Sequence, residues 1–155
     1  VDGEGTKAGK ARLTWMQGSR FYSYHMAPPT GTQFIVAESG ANDPEFNLRR
    51  EPALIQRVDG AADATFVSLL EPHGAYDASA ETVVASSARV SALEHRKEKG
   101  VDIVLITLID GRRLAIAVAD DVTAASKHSV TVDGRTLAWT GPVGRFDLVK
   151  TGAKK

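Results

Sequence analysis

Three residue types able to move protons stand within one short stretch, Glu71-Pro72-His73-Gly74-Ala75-Tyr76. His and Tyr are the groups needed to abstract a proton and to protonate a leaving group in a β-elimination, and Glu71 adds a carboxylate beside them. Three such groups in one loop seldom converge on one point. The competing reading is a structural turn at a strand end, with His73 and Tyr76 hydrogen-bonding the loop and covering a sheet edge. A second candidate is Gly40-Ala41-Asn42-Asp43-Pro44-Glu45-Phe46-Asn47-Leu48-Arg49-Arg50-Glu51-Pro52, which breaks the surrounding strand pattern. Asn42, Asp43 and Asn47 are residues that bond nearby backbone and hold a loop rigid, and Asp43-Pro44 starts a turn. Arg49 and Arg50 are suited to clamp a carboxylate in a bidentate pair. The alternative is a self-packed loop, with Phe46 and Leu48 plugging the core and the arginines paired to Glu45 or Glu51. The candidates for substrate or domain contact are therefore Asn42, Asp43, Asn47, Arg49, Arg50, Glu71, His73 and Tyr76.

Other chemistries find little support. Cysteine is absent, which excludes a disulfide framework, a thiol nucleophile and a thiolate zinc site. His25, His73, His95 and His128 share no metal-ligand spacing, so neither a metal nor a cofactor is expected. No GxSxG elbow is present, and Gly3-Glu4-Gly5 lacks the strand and helix of a phosphate cradle. The 19 Lys+Arg against 19 Asp+Glu give a net charge of 0, without the excess positive charge that nucleic-acid binding needs. No apolar run approaches the roughly 18 residues of a membrane-spanning helix. Tyr22 and Tyr24 alternate along one strand and share a face, which would suit sugar stacking or, more commonly, a core with its rim.

The elements that must position these residues read as strands. Val, Ile and Thr number 15, 6 and 12 and cluster in short runs between turn signals. Asp110-Gly111 and Asp133-Gly134 mark hairpins, Gln17-Gly18 marks a tight turn, and Lys99-Gly100 turns a strand from Ser87–Glu98 into Val101–Ile109. The Ala- and Glu-rich stretch from Asp77 to Lys99 is open to a helix capped by Asp77, but the strand reading is favoured. About ten strands with meander-like spacing predict an all-β, antiparallel β-sandwich, with a closed barrel as the alternative. Residues 1–11 are expected as a flexible end, 12–149 as the sandwich and 150–155 as a flexible tail. The 155 residues suffice for one domain, and the start at Val1 without Met is read as a piece of something longer.

Three blocks carry a resemblance: Thr14-Trp15-Met16-Gln17-Gly18-Ser19-Arg20-Phe21-Tyr22, the Gly40–Pro52 stretch, and Glu71-Pro72-His73-Gly74 followed by His128 and Trp139-Thr140-Gly141-Pro142. In order and spacing, over about residues 12–146, they resemble the C-terminal region of heparinase II/III-like polysaccharide lyases, closest to the family-17 alginate (oligoalginate) lyases. The second block is the most specific. The resemblance implies a parent enzyme with an N-terminal α/α toroid and antiparallel β-sheet domains, cleaving uronate polysaccharide by β-elimination. In the family the catalytic groups lie upstream of the matched region, so no catalytic residue is carried over and the isolated chain is expected to be inactive. Expected partners are the toroid and central β domains of the parent lyase, with a uronate oligosaccharide as a further ligand; no nucleic acid or membrane is expected. A periplasmic or secreted location follows from the resemblance alone. Two rival functions remain at this stage: a stand-alone carbohydrate-binding module, and a purely structural or dimer-contact domain.

Overall fold

The computed structural model describes residues 2–6, 10–40 and 50–148. The strands are Asp2–Thr6 (β1), Lys10–Gln17 (β2), Arg20–Ala27 (β3), Gln33–Gly40 (β4), Arg50–Arg57 (β5), Val67–Asp77 (β6), Thr82–Val84 (β7), Val90–Glu98 (β8), Val101–Leu108 (β9), Arg113–Ala119 (β10), Lys127–Val132 (β11), Arg135–Thr140 (β12) and Val143–Leu148 (β13). All pairings are antiparallel, and no helix occurs among the described residues, so the chain is the expected all-β sandwich.

The strands form a five-stranded sheet ordered β1-β2-β3-β6-β7, a four-stranded sheet ordered β13-β10-β9-β8, and two separate hairpins, β4-β5 and β11-β12. Strand alternation lays the four-stranded sheet between two cores. Val101, Ile103 and Leu105 of β9, with Ala115, Ala117 and Ala119 of β10, face the β11-β12 hairpin and bury Val130, Val132 and Leu137. The small alanines leave room for Trp139 and Phe146, whose rings meet edge-on at 5.9 Å. The intervening residues point the other way: Ile106 and Leu93 pack with Ala27 of β3, and Val67 and Leu69 of β6 join them. The chain is thus layered as five-stranded sheet, four-stranded sheet, then hairpin.

The turns follow the residues that tolerate a left-handed backbone. Lys99-Gly100 has φ of 50 and 74, and Asp133-Gly134 has 48 and 77, the two-residue geometry that matches strand twist. The Asp133 turn is tied down by ion pairs to Arg96 and Arg113 of the central sheet.

Several expectations need correction. Asp2–Thr6, inside the segment read as a flexible end, pairs in register with β2 from Thr14 to Lys10. The long strand expected between Asp77 and Lys99 is broken: only Thr82–Val84 and Val90–Glu98 pair. Asp77 caps a turn rather than a helix, accepting bonds from the Ser79 amide and hydroxyl and the Ala80 amide. Glu71-Pro72-His73-Gly74 is not a turn at a strand end but lies within the 11 residues of β6. Pro72 is tolerated because β7 pairs only Ala75 to Asp77, which leaves one side of β6 open at that point.

Candidate functional site

The two faces of the five-stranded sheet differ sharply in chemistry. On the face turned toward the four-stranded sheet, cross-strand pairing brings Thr14, Phe21, Ser23, His25, Glu71 and His73 together. Ser23 and His73 are buried, at 1% and 7% exposure. The Ser23 hydroxyl lies 2.9 Å from His73 Nε2 and 2.9 Å from Thr14 Oγ1. His73 Nδ1 lies 3.4 Å from the Ala85 carbonyl, an acceptor only. That carbonyl assigns the proton to Nδ1, so Nε2 accepts from Ser23 and Ser23 accepts from Thr14. Phe21 stacks on the His73 ring at 6.1 Å. The result is a fixed relay from Thr14 to the β7 end of the sheet.

Glu71 lies on the same face but serves different partners. Its oxygens accept the Arg89 amide at 2.6 Å and the Val90 amide at 3.2 Å, at the start of β8, and His25 Nε2 at 3.0 Å. Burial works to raise the Glu71 carboxyl, but the two amides and His25 outweigh it and hold it below the ordinary value. His25 is lowered below 6.5 chiefly by burial, with Glu71 opposing the shift. Glu71 therefore pins the five-stranded sheet to the first residues of β8.

Both shifts have the same sign for stability. A His lowered from 6.5 and a Glu lowered from 4.5 each take up protons more readily in the unfolded chain. The His25 contribution is present above 6.5 and is lost as pH falls from there; the Glu71 contribution goes below 4.5. We expect the thermal midpoint to drop as pH is taken from about 7.5 to about 5.5, with His25→Gln flattening the slope in that window. An unchanged slope in His25→Gln, read by circular-dichroism melts across pH, would remove this assignment.

Of the residues singled out from sequence, Glu71 and His73 are brought to one face, two positions apart. Tyr76 joins neither: its amide donates to the Ser19 carbonyl at 2.7 Å, and its hydroxyl makes no hydrogen bond among the described residues. Asn42, Asp43, Asn47 and Arg49 lie outside the described residues, as do Phe46 and Leu48. Arg50 pairs by backbone with Gly40 at the far end of β4-β5, and its side chain lies outside the described set. His95 bonds Asp102 at 2.7 Å. His128 rests on the Trp139 ring at 5.3 Å, and its Nε2 and Trp139 Nε1 are buried without hydrogen-bond partners among the described residues. No group of three metal-ligating side chains occurs among the described residues.

The opposite face of the five-stranded sheet is apolar and aromatic. Pairing places Leu13, Trp15, Tyr22, Tyr24, Leu70 and Pro72 there. Tyr22 and Tyr24 share this face as their spacing predicts, and both are half-buried rather than core. Trp15 and Tyr22 stack at 5.6 Å with an interplanar angle of 17°, and Leu70 is 54% exposed. The β4-β5 hairpin is a second apolar area. Among the described residues its strands pair only with each other, and Phe34, Ile35, Val36 and Ile55 are all exposed, Val36 by 71%. Ile35 and Ile55 face one another across the ladder, while Phe34 and Val36 point to the other side. The hairpin is thus apolar on both faces. Both strands of this arm read as strands from sequence, over 32–38 and 53–59, but their pairing with each other did not; the signal was the unalternating run Phe34-Ile35-Val36-Ala37, the mark of a strand covered on both sides.

Residues 108–143 match the family model described as "Exo-oligoalginate lyase-like, C-terminal domain". The chain is 45% identical over 142 residues to a protein of Stenotrophomonas maltophilia (strain K279a) named "Alginate lyase"; the match covers 92% of this chain and 19% of that protein. It is 39% identical over 133 residues to the "Exo-oligoalginate lyase" of Saccharophagus degradans, covering 84% of this chain and 18% of that protein. The chain therefore spans less than two thirds of the length of the curated relatives it matches, at 19% and 18%.

Proposed function

We propose, from the premise that this chain is a C-terminal domain of the alginate and oligoalginate lyase-like proteins, that it is the supporting module of a longer lyase. In this reading the parent cleaves a uronate polysaccharide by β-elimination, and this module is seated against its remaining domains without contributing the reacting groups. Elimination at a uronate needs the carboxylate neutralised, with an acid and a base preorganised around one sugar. Glu71 is instead committed to the β8 amides of the next layer and His73 to Ser23 within its own sheet, and Tyr76 approaches neither.

The observation that carries the seating is the β4-β5 arm. A lone two-stranded hairpin is marginal in water, and one apolar on both faces is a surface made to be covered. The relatives supply the candidate cover, since more than four fifths of their length lies outside the matched region. The Trp15–Tyr22 face of the five-stranded sheet offers a second area of the same character.

Hydroxyl-radical footprinting tests this directly. Phe34, Val36, Ile55 and Trp15 are expected to label readily in this chain alone and to be protected in the parent lyase. Equal labelling in both would overturn the docking reading. A second readout is turnover, followed by the absorbance of unsaturated uronate ends: poly-mannuronate and poly-guluronate are expected to be untouched by this chain.

A further inference from the structure

A cleft of about 470 Å³ opens where the β9-β10 turn meets β13, lined among others by Leu108, Asp110, Arg112, Leu114, Arg145 and Asp147. This volume lies in the range of small-molecule sites, about 300–1,000 Å³. Strand pairing explains its composition. Arg145 lies opposite Ile116, and Asp147 opposite Leu114, so both charged residues rise from the same face as the apolar residues of β10. That is the face the central sheet turns toward the five-stranded sheet, but the five-stranded sheet packs near β8, at the far edge from β13. Among the described residues, β3 and β6 make their main contacts with β8 and leave the β10–β13 side uncovered.

The charges in the cleft are unequally committed. Arg112 is taken up by Asp110, with its Nε and Nη2 both 2.8 Å from the carboxylate. Arg145 has no hydrogen bond or ion pair among the described residues; Asp147 has none either, though its charge acts on the Arg112 guanidinium. An Arg with its fork of donors unused, beside Leu108 and Leu114, is suited to a carboxylate held two-pronged. The Asp147 carboxylate accepts hydrogen bonds and so matches hydroxyl groups, while the leucines match an apolar ring face.

We infer that this cleft binds a carboxylate-bearing pyranose, with Arg145 holding the carboxylate, Asp147 accepting from ring hydroxyls, and Leu108 and Leu114 underlying the ring. A neutral sugar would leave Arg145 unused. A phosphate or sulfate would bring added negative charge against Asp147. A simple carboxylate would use neither Asp147 nor the leucines. The naming of the acid sugar as a uronate rests on the parent-lyase reading above; the cleft itself does not.

The test is an amide and arginine side-chain NMR titration of this chain with trimers of mannuronate and of guluronate, with cellotriose and acetate in parallel. Saturable shifts at Leu108, Arg112, Leu114, Arg145 and Asp147 are expected with a uronate trimer near about 1 mM. Arg145→Gln is expected to weaken binding by at least about tenfold with the rest of the spectrum unmoved. The absence of saturable shifts with both trimers would overturn the inference. So would binding by cellotriose or acetate equal to that of the trimers, or an affinity unchanged in Arg145→Gln. The titration uses this chain alone, so its failure leaves the docking reading intact. An unprotected β4-β5 arm in the parent would conversely fail the docking reading and leave the cleft untouched.

Discussion

Gly74→Ala is expected to destabilise the chain by about 3–4 kcal/mol, at the upper end for a single substitution. Gly74 has φ +54, where an L side chain costs about 1–2 kcal/mol. The larger part of the cost is a collision. A Cβ there would lie 2.3 Å from the Ala85 carbonyl oxygen and 2.5 Å from that of Val84. Both obstacles are backbone, and β6 is held on its other side by the β3 ladder through His73 and Ala75. The strand that gives way must be β7, with loss of the Ala75–Val84 pairing. Its departure also withdraws the Ala85 carbonyl from His73 Nδ1 and loosens the relay through Ser23 to Thr14. Gly60→Ala is the matched control: φ is +72 there, but nothing lies within 4 Å of the added Cβ. Urea denaturation should separate the two by about 2 kcal/mol, and a thermal melt should show Gly74→Ala lower by about 4–8 °C. Equal losses would mean that β7 retreats freely.

Leu105→Ala is expected to cost about 3–4 kcal/mol by a different route. Leu105 is 0% exposed at the centre of the layer between the four-stranded sheet and the β11-β12 hairpin. Its cross-strand partner is Ala115, and Ala117 and Ala119 share that face, so the surroundings have little volume with which to refill a void. The hairpin is also restrained from settling into the gap, because Asp133 is tied to Arg96 and Arg113. Urea denaturation should show a lower midpoint with an unchanged slope. A loss below about 1.5 kcal/mol would show that the hairpin collapses onto the sheet, against the rigidity argued here.

Much of the layer structure was legible in local chemistry. Lys99-Gly100 and Asp133-Gly134 are turns because their backbones demand positive φ, and the residues there announce it. The shared face of Tyr22 and Tyr24 followed from the two-residue period of a strand. The failures have a common physical cause, which is that sequence carries no long-range pairing. Pro72 and Gly74 read as turn formers, yet β3 pairs with β6 across the whole β4-β5 arm and keeps both inside a strand. Gly74 serves there as the point where the register shifts, between Arg20 and Phe21 of the facing strand. Glu71 and His73 looked like one catalytic group because they are close in sequence. Their partners Arg89, Val90, Ser23 and Ala85 come from three other segments, and those partners divide the two side chains between separate tasks.

The order of strands in the two sheets bears on how the chain assembles. In the four-stranded sheet, β8, β9 and β10 follow one another directly, and β13 returns to β10 after a single hairpin. The β8-β9 and β9-β10 ladders close tight turns, and β10-β13 closes across the folded β11-β12 hairpin, so residues 90–148 can meet their partners at small entropic cost. The five-stranded sheet is built otherwise: Tyr22 must find Pro72, and the whole arm lies between them. The C-terminal half is thus the fast, self-templating part, and its open face toward β3 and β6 serves as the surface on which the slower half is gathered. In a chain synthesised from its N-terminus, the arm and the first sheet emerge before that template exists. Phe34, Val36 and Ile55 stay exposed even after that template has formed, which makes the arm the segment most open to wrong association during synthesis.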